Sequence, residues 1–149
     1  MNSVFNTYFE TSLRILLLLS STDNEMTMEK IVFLDFITVY GSSFDVASEN
    51  LNGDNSFMYS ELAARKKNVT GAIKELVTQG FIEAIKGMHE FKYRITELGA
   101  TTTAKFESRY ASKYRISAKK VCQKFGNRPE QEINMLIYDK AASSLKGEL

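Results

Sequence analysis

The chain is poor in the residues that most often carry covalent or metal chemistry. It holds one cysteine, Cys122, and one histidine, His89, in 149 residues. A single cysteine rules out a disulfide within the chain and zinc sites built on two or four thiolates, and a single histidine leaves little room for a histidine metal centre or a catalytic triad. Gly-rich phosphate loops, a GxSxG elbow and paired catalytic carboxylates are absent as well. Proline is equally scarce, with Pro129 alone, and no Gly/Ser tract or internal repeat marks a linker. The longest apolar run, Ile15 to Leu19, is far short of the roughly 18 residues that cross a bilayer, and no early lysine or arginine precedes it as in a signal peptide. These absences predict a cytoplasmic, non-catalytic protein with no cofactor, no metal and no membrane partner.

What is present is a globular composition, 44% hydrophobic and 25% charged. One domain over residues 1–149 is expected, large enough to bury roughly 68–70% of its unfolded surface. The net charge of +1 conceals a strong segregation. Residues 1–56 carry 2 basic and 8 acidic side chains, residues 57–128 carry 15 basic and 6 acidic, and residues 129–149 carry 2 and 4. An electrostatic binding surface therefore belongs in the middle block.

Apolar periodicity predicts a first helix from about Phe5 to Ser20 and a second, capped by Thr27, through Tyr40, with Gly41 as a left-handed C-cap. Together they form an N-terminal helical hairpin over residues 1–41. Arg14 and Asp35 are the only charges inside their apolar runs, and a structural ion pair or a place at the helix edges is the simplest account of both. Residues 42–57 read as a long polar loop, and Glu49 to Asn55 has the composition of a calcium loop. The EF-hand register fails: a start at Asn50 places Glu61 at position twelve but Asn55 where glycine is needed.

Residues 58–98 predict a winged-helix-like core: a helical segment capped by Ser60 and ended by Gly80, then strands Phe81–Lys86 and Phe91–Thr96 around the turn Gly87-Met88-His89-Glu90. The segment Ser60 to Gln79 fits either one continuous helix or a helix-turn-helix about one turn short of standard length. Helices are expected over Thr101–Tyr110, Tyr114–Phe125 and from Pro129 to about Ser144, forming a C-terminal helical part over residues 99–149. The fold class is thus mostly α with a small β-hairpin, a winged-helix-like domain with flanking N- and C-terminal helices.

The candidate phosphate- or DNA-binding residues are Lys66, Lys67 and Lys74 on the first basic segment, and Arg109, Lys113, Lys119, Lys120 and Lys124 on the second. Arg109, Lys113, Lys120 and Lys124 recur at helical intervals opposite the stripe Phe106, Tyr110, Tyr114, Val121 and Phe125. Such a ribbon suits a phosphate backbone or an acidic protein surface, and the alternative is a solvated face. Cys122 is expected as a small core residue and His89 as an exposed tip.

Five segments together resemble the middle component of the bacterial ABC-three-component systems. They are Phe5-Asn6-Thr7-Tyr8-Phe9-Glu10 with Leu13-Arg14-Ile15-Leu16; Lys30-Ile31-Val32-Phe33-Leu34-Asp35-Phe36; Glu49-Asn50-Leu51-Asn52-Gly53-Asp54; Tyr59-Ser60-Glu61-Leu62-Ala63-Ala64-Arg65-Lys66; and Phe106-Glu107-Ser108-Arg109-Tyr110. Lys66 stands where the family tends to carry a second arginine, and the helix before Phe125 lacks the family's usual tryptophan. The resemblance implies a small accessory subunit acting with an SMC-like coiled-coil ATPase and an effector protein, commonly a nuclease, as in Lamassu-type defence against phage or plasmids. Double-stranded DNA is a further partner it allows. The rival expectation is a stand-alone winged-helix transcription regulator that binds DNA.

Overall fold

The computed structural model describes residues 8–51 and 58–147. Helix α1 (Tyr8–Leu19) leads through a turn to a two-residue strand β1 (Met26–Thr27), then α2 (Met28–Val39). Two 3-10 turns, Gly41–Phe44 and Met58–Glu61, flank the next connection, and α3 (Leu62–Thr78) follows. The hairpin strands β2 (Ile82–Lys86) and β3 (Phe91–Ile95) lead to α4 (Glu97–Thr103), α5 (Arg109–Phe125) and α6 (Glu130–Gly147).

The sheet is antiparallel with order β1-β3-β2; Met26 faces Tyr93 across one ladder and Ala84 faces Tyr93 across the other. Helix, short strand, two helices and a hairpin, with the first strand on the far edge of the hairpin, is a winged-helix-like order. It begins at α1, because β1 is the third strand. That strand escapes sequence reading: two residues hold no period, and only the ladder to β3 defines it.

α1 and α2 are the centre of the molecule. Both are apolar nearly all round: Ile15 to Leu19 and every residue from Ile31 to Tyr40 are buried. α3 and α5 each pack on both of them, on opposite sides of the pair. The core therefore draws on the N-terminal helices, on Val69, Ile73 and Leu76 of α3, and on Tyr114, Val121 and Phe125 of α5.

Capping fixes most boundaries. Thr27 accepts from the Lys30 amide (3.2 Å) at the start of α2, Thr96 from that of Gly99 (3.0 Å) before α4, and Ser108 from that of Ala111 (3.1 Å) before α5. The end of α3 is a Schellman motif: the amides of Gly80 and Phe81 donate to Val77 and Leu76 carbonyls, with Gly80 left-handed (φ 81°).

One open alternative is decided and several expectations are corrected. Of the two readings of Ser60 to Gln79, the continuous helix forms, over residues 62–78. A helix-turn-helix joins its helices by three or four residues, whereas here residues 40–61 lie between α2 and α3. Ser60 sits inside the 3-10 turn, and Glu61 rather than Ser60 holds the N-cap position, with no side-chain bond to the first amides of α3. Gly41 is not left-handed: α2 ends at Tyr40 (φ −107°), and the left-handed residue is Asp45 (φ 60°), which closes the 3-10 turn that follows. A Cβ on Gly41 would lie 2.9 Å from that of Ala47, so close approach of the returning chain explains the glycine. The expected helix over Thr101–Tyr110 does not form. α4 stops at Thr103, and the Ser108 cap starts α5 early, so that Tyr110 and Tyr114 share a helix. Residues 5–7 of the expected first helix, and 52–57 of the long loop with most of the calcium-like stretch, lie outside the described residues.

Gly99 locks the hairpin to α4: a Cβ there would lie 2.0 Å from the Phe81 carbonyl oxygen and 2.7 Å from Ile95. Gly99→Ala is expected to destabilise the protein by about 1–3 kcal/mol, since backbone must move to admit the methyl. A lower urea midpoint at unchanged m-value is the readout.

Candidate functional site

Two polar features stand out, one buried and one exposed. The buried one is built on Asp35, which α2 carries into the centre of the molecule with 0% exposure. Arg14 of α1 donates from Nε to both carboxylate oxygens (3.1 and 3.4 Å), and Arg65 of α3 donates from an Nη at 3.3 Å. The Tyr114 hydroxyl of α5 donates at 2.7 Å. Four helices thus meet on one carboxylate. Arg14 also reaches the Thr11 hydroxyl at 3.4 Å, and Arg65 lies over the Tyr40 ring, whose hydroxyl donates to Glu61 at 2.9 Å. The pairing of Arg14 with Asp35 was one of two readings of the sequence. Tyr114 was placed on the aromatic stripe, but neither it nor Arg65 was read as a partner of Asp35, because that residue lies 79 and 30 positions away in the chain.

The electrostatics follow from burial and charge. Burial works against the charged form of Arg14, but the Asp35 carboxylate more than offsets it, and the guanidinium pKa is raised. Burial, reinforced by Asp35, pushes the Tyr114 phenol well above its ordinary range, and burial pushes Tyr110 up to about 12. These groups are held in fixed protonation states near neutrality, as suits a framework. Among the described residues no group of three or more His, Cys, Asp or Glu is placed to hold a metal ion, and no helix is long and apolar enough to cross a membrane.

The exposed feature is the basic surface, and the structure divides the candidate residues. Lys66, Lys67 and Lys74 lie exposed on α3, while Arg109, Lys113, Lys119, Lys120 and Lys124 lie exposed on α5. Because α1 and α2 separate those helices, the two sets form separate surfaces. Lys66 is paired with Glu29 of α2 at 2.6 Å, and Lys113 with Glu49 at 2.9 Å. Among the described residues no carboxylate lies within 4.0 Å of Lys67, Lys74, Arg109, Lys119, Lys120 or Lys124. Two other basic residues of the middle block make structural contacts. Arg115 caps the chain leaving α4, donating to the Thr103 and Phe106 carbonyls at 2.6 and 2.8 Å, and Arg94 pairs with Glu83 across the hairpin.

Arg109, Lys113, Lys120 and Lys124 form one stripe about 22 Å long at 1.5 Å per residue, with Lys119 to one side. On its other face α5 buries Tyr114, Ala118, Val121 and Phe125. Phe106 and Tyr110 of the aromatic stripe pack at the core's edge, and Cys122 is half-buried there. His89 is exposed at the hairpin tip beside Met88. A separate apolar groove of about 570 Å³ runs between α1, the end of α3 and α4, lined by Phe9, Leu13, Leu16, Leu76, Phe81 and Phe106.

A winged-helix-like body whose polar interior is structural and whose surfaces are charged or apolar has the make-up of an assembly component. The family comparison is specific: the model for the ABC-three component (ABC-3C) system Middle Component 2 matches residues 4–147, and the chain belongs to that family. Membership implies partner proteins and an accessory role in a defence system. No curated protein and no solved structure matches the chain.

Two predictions follow from the buried cluster. Asp35→Ala strands two guanidiniums and is expected to cost about 3–5 kcal/mol, close to abolishing folding. Tyr114→Phe removes one bond to a charged acceptor and is expected to cost about 1.5–3 kcal/mol, measured by chemical denaturation.

Alkaline pH tests the burial of Cys122, pushed from 9.0 up to about 11, and of Tyr110, pushed from 10.0 up to about 12. Both are neutral in the fold, and the unfolded chain releases their protons first. Their contribution to stability is therefore whole below pH 9 and declines as pH rises through 11 and 12. Urea titrations across that range should show the decline, and Cys122→Ala should reduce its slope between pH 9 and 11.

Proposed function

We propose that this chain is a non-catalytic accessory subunit of an SMC-like ATPase complex in bacterial defence of the Lamassu type, joining the coiled-coil ATPase to an effector, commonly a nuclease, or to DNA. Residues 1–149 act in it as a single cytoplasmic domain. The observation that carries this reading is the family match over residues 4–147. The arrangement of the polar groups supports it: the concentrated charge inside is spent on joining helices, and what remains outside is suited to contact.

The rival, a stand-alone winged-helix regulator, has less support from the surface. A DNA-reading helix projects its N-terminal side chains into the major groove. In α3 those exposed positions are Ala63, Ala64, Lys66 and Lys67, with Lys66 already held by Glu29. None of them is an asparagine, glutamine or arginine, which leaves Lys67 as the one side chain among them, with no carboxylate partner among the described residues, that could read a base.

Co-expression with an SMC-like coiled-coil ATPase of an ABC-three-component system tests the proposal. The expected outcome is a complex that survives gel filtration at moderate salt. A free chain that ignores the ATPase and instead binds one duplex sequence with sub-micromolar affinity would establish the regulator.

A further inference from the structure

The α5 stripe is not uniformly charged. Ile116 lies in its middle, three residues after Lys113 and four before Lys120, and is 61% exposed. Arg109 and Lys124 close the stripe at its two ends, four residues beyond each lysine. A large aliphatic group ringed by cations is an arrangement for a surface that has both carboxylates and an apolar residue.

A carboxylate already sits on this stripe. Glu49, from the acidic N-terminal block, pairs with Lys113, and the hydrogen bond and charge of Lys113, with Arg109 nearby, hold its carboxyl below the usual range. DNA would use the stripe poorly, since its phosphates engage the cations but give Ile116 nothing apolar to cover it. The helix in the position of a DNA-reading helix is moreover α3, on the opposite side of the α1–α2 pair.

We infer that the outer face of α5 docks an acidic amphipathic helix of a partner protein, with an apolar side chain of that helix seated on Ile116 between carboxylates that pair with Arg109, Lys113, Lys120 and Lys124. The required pattern follows from the spacing here. The partner helix carries an apolar residue with acidic residues three or four positions to either side, and a second acidic residue a turn further out at each end. The stripe spans about four turns, the length of a short docking helix rather than of a whole domain face. This inference deepens the accessory-subunit reading, on which it rests for the existence of a partner.

The test uses the full chain and a fluorescein-labelled, helix-forming peptide of about 18 residues with that pattern and a central leucine. A second peptide has serine in place of the leucine, and a 20-base-pair duplex, with about one negative charge per 1.7 Å of its axis, serves as the competing ligand at matched salt. Fluorescence anisotropy is expected to show binding of the leucine peptide, weakened about tenfold by Ile116→Ser and about tenfold by the leucine-to-serine change, with no further loss when both are combined. Lys113→Ala with Lys120→Ala should weaken it at least as much. All of these positions are exposed, so circular dichroism should report an unchanged fold.

Absence of peptide binding, or binding indifferent to Ile116→Ser, overturns the inference. So does a duplex that binds more tightly than the peptide through the same lysines, which would make the stripe a phosphate surface. The result is independent of co-purification with the ATPase, so loss of the assembly reading and loss of this docking surface remain distinguishable.

Discussion

Placing the Asp35 carboxylate in the middle of the core is the constraint on which the rest of the arrangement depends. A carboxylate with no exposure is tolerable only if it is paired with opposite charge and its remaining lone pairs are filled by hydrogen-bond donors. Here the donors come from three other helices: Arg14 from α1, Arg65 from α3 and Tyr114 from α5. The carboxylate therefore acts as a geometric instruction. α3 and α5 must lie on opposite sides of the α1–α2 pair and still bring one side chain each to the same point. An all-apolar centre of similar volume need be no less stable, but it would accept sliding and rotation of those helices that a three-donor site does not.

That placement also sets what the surface can do. With α3 and α5 apart, the basic block becomes two surfaces, and the hairpin hangs beside α3 through the Schellman turn at Gly80 and the Thr96 cap. The acidic N-terminal residues are distributed over both sides. Glu29 reaches Lys66 and Glu49 reaches Lys113, while Asp45 approaches Lys140 of α6 at 3.9 Å. Exposed pairs of this kind add little to stability. Their effect is to leave particular cations, Lys120 and Lys124 of α5 among them, as the unscreened part of a chain whose net charge is only +1.

The helical content, the hairpin, the cap at Thr27 and the strongly apolar character of the first two helices were legible in the residues. Each depends on local periodicity or on a cap within three residues, and such signals do not need the rest of the fold. The break between α4 and α5 was misread because Thr101 to Tyr110 is compatible with helix, and the Ser108 cap outcompetes it only when Tyr110 and Tyr114 are drawn together into the core. β1 was missed for a related reason, since two residues become a strand only when β3 is beside them. Of the basic residues, the sequence did not distinguish Arg65 and Arg115, which serve the interior and a helix end, from Lys120 and Lys124, which face solvent.

By itself the sequence determined the chemistry available to the protein: a single cysteine and a single histidine, two strongly apolar helices, and a charge asymmetry along the chain. Only the tertiary structure decided which charges are interior and which are free. Burial and ion pairing depend on neighbours 21 to 79 residues away, as in the bonds from Arg14 and Tyr114 to Asp35, and no local pattern encodes such distances. The near-neutral total is thereby resolved into a fixed polar centre and an outer stripe on α5 with an isoleucine in its middle.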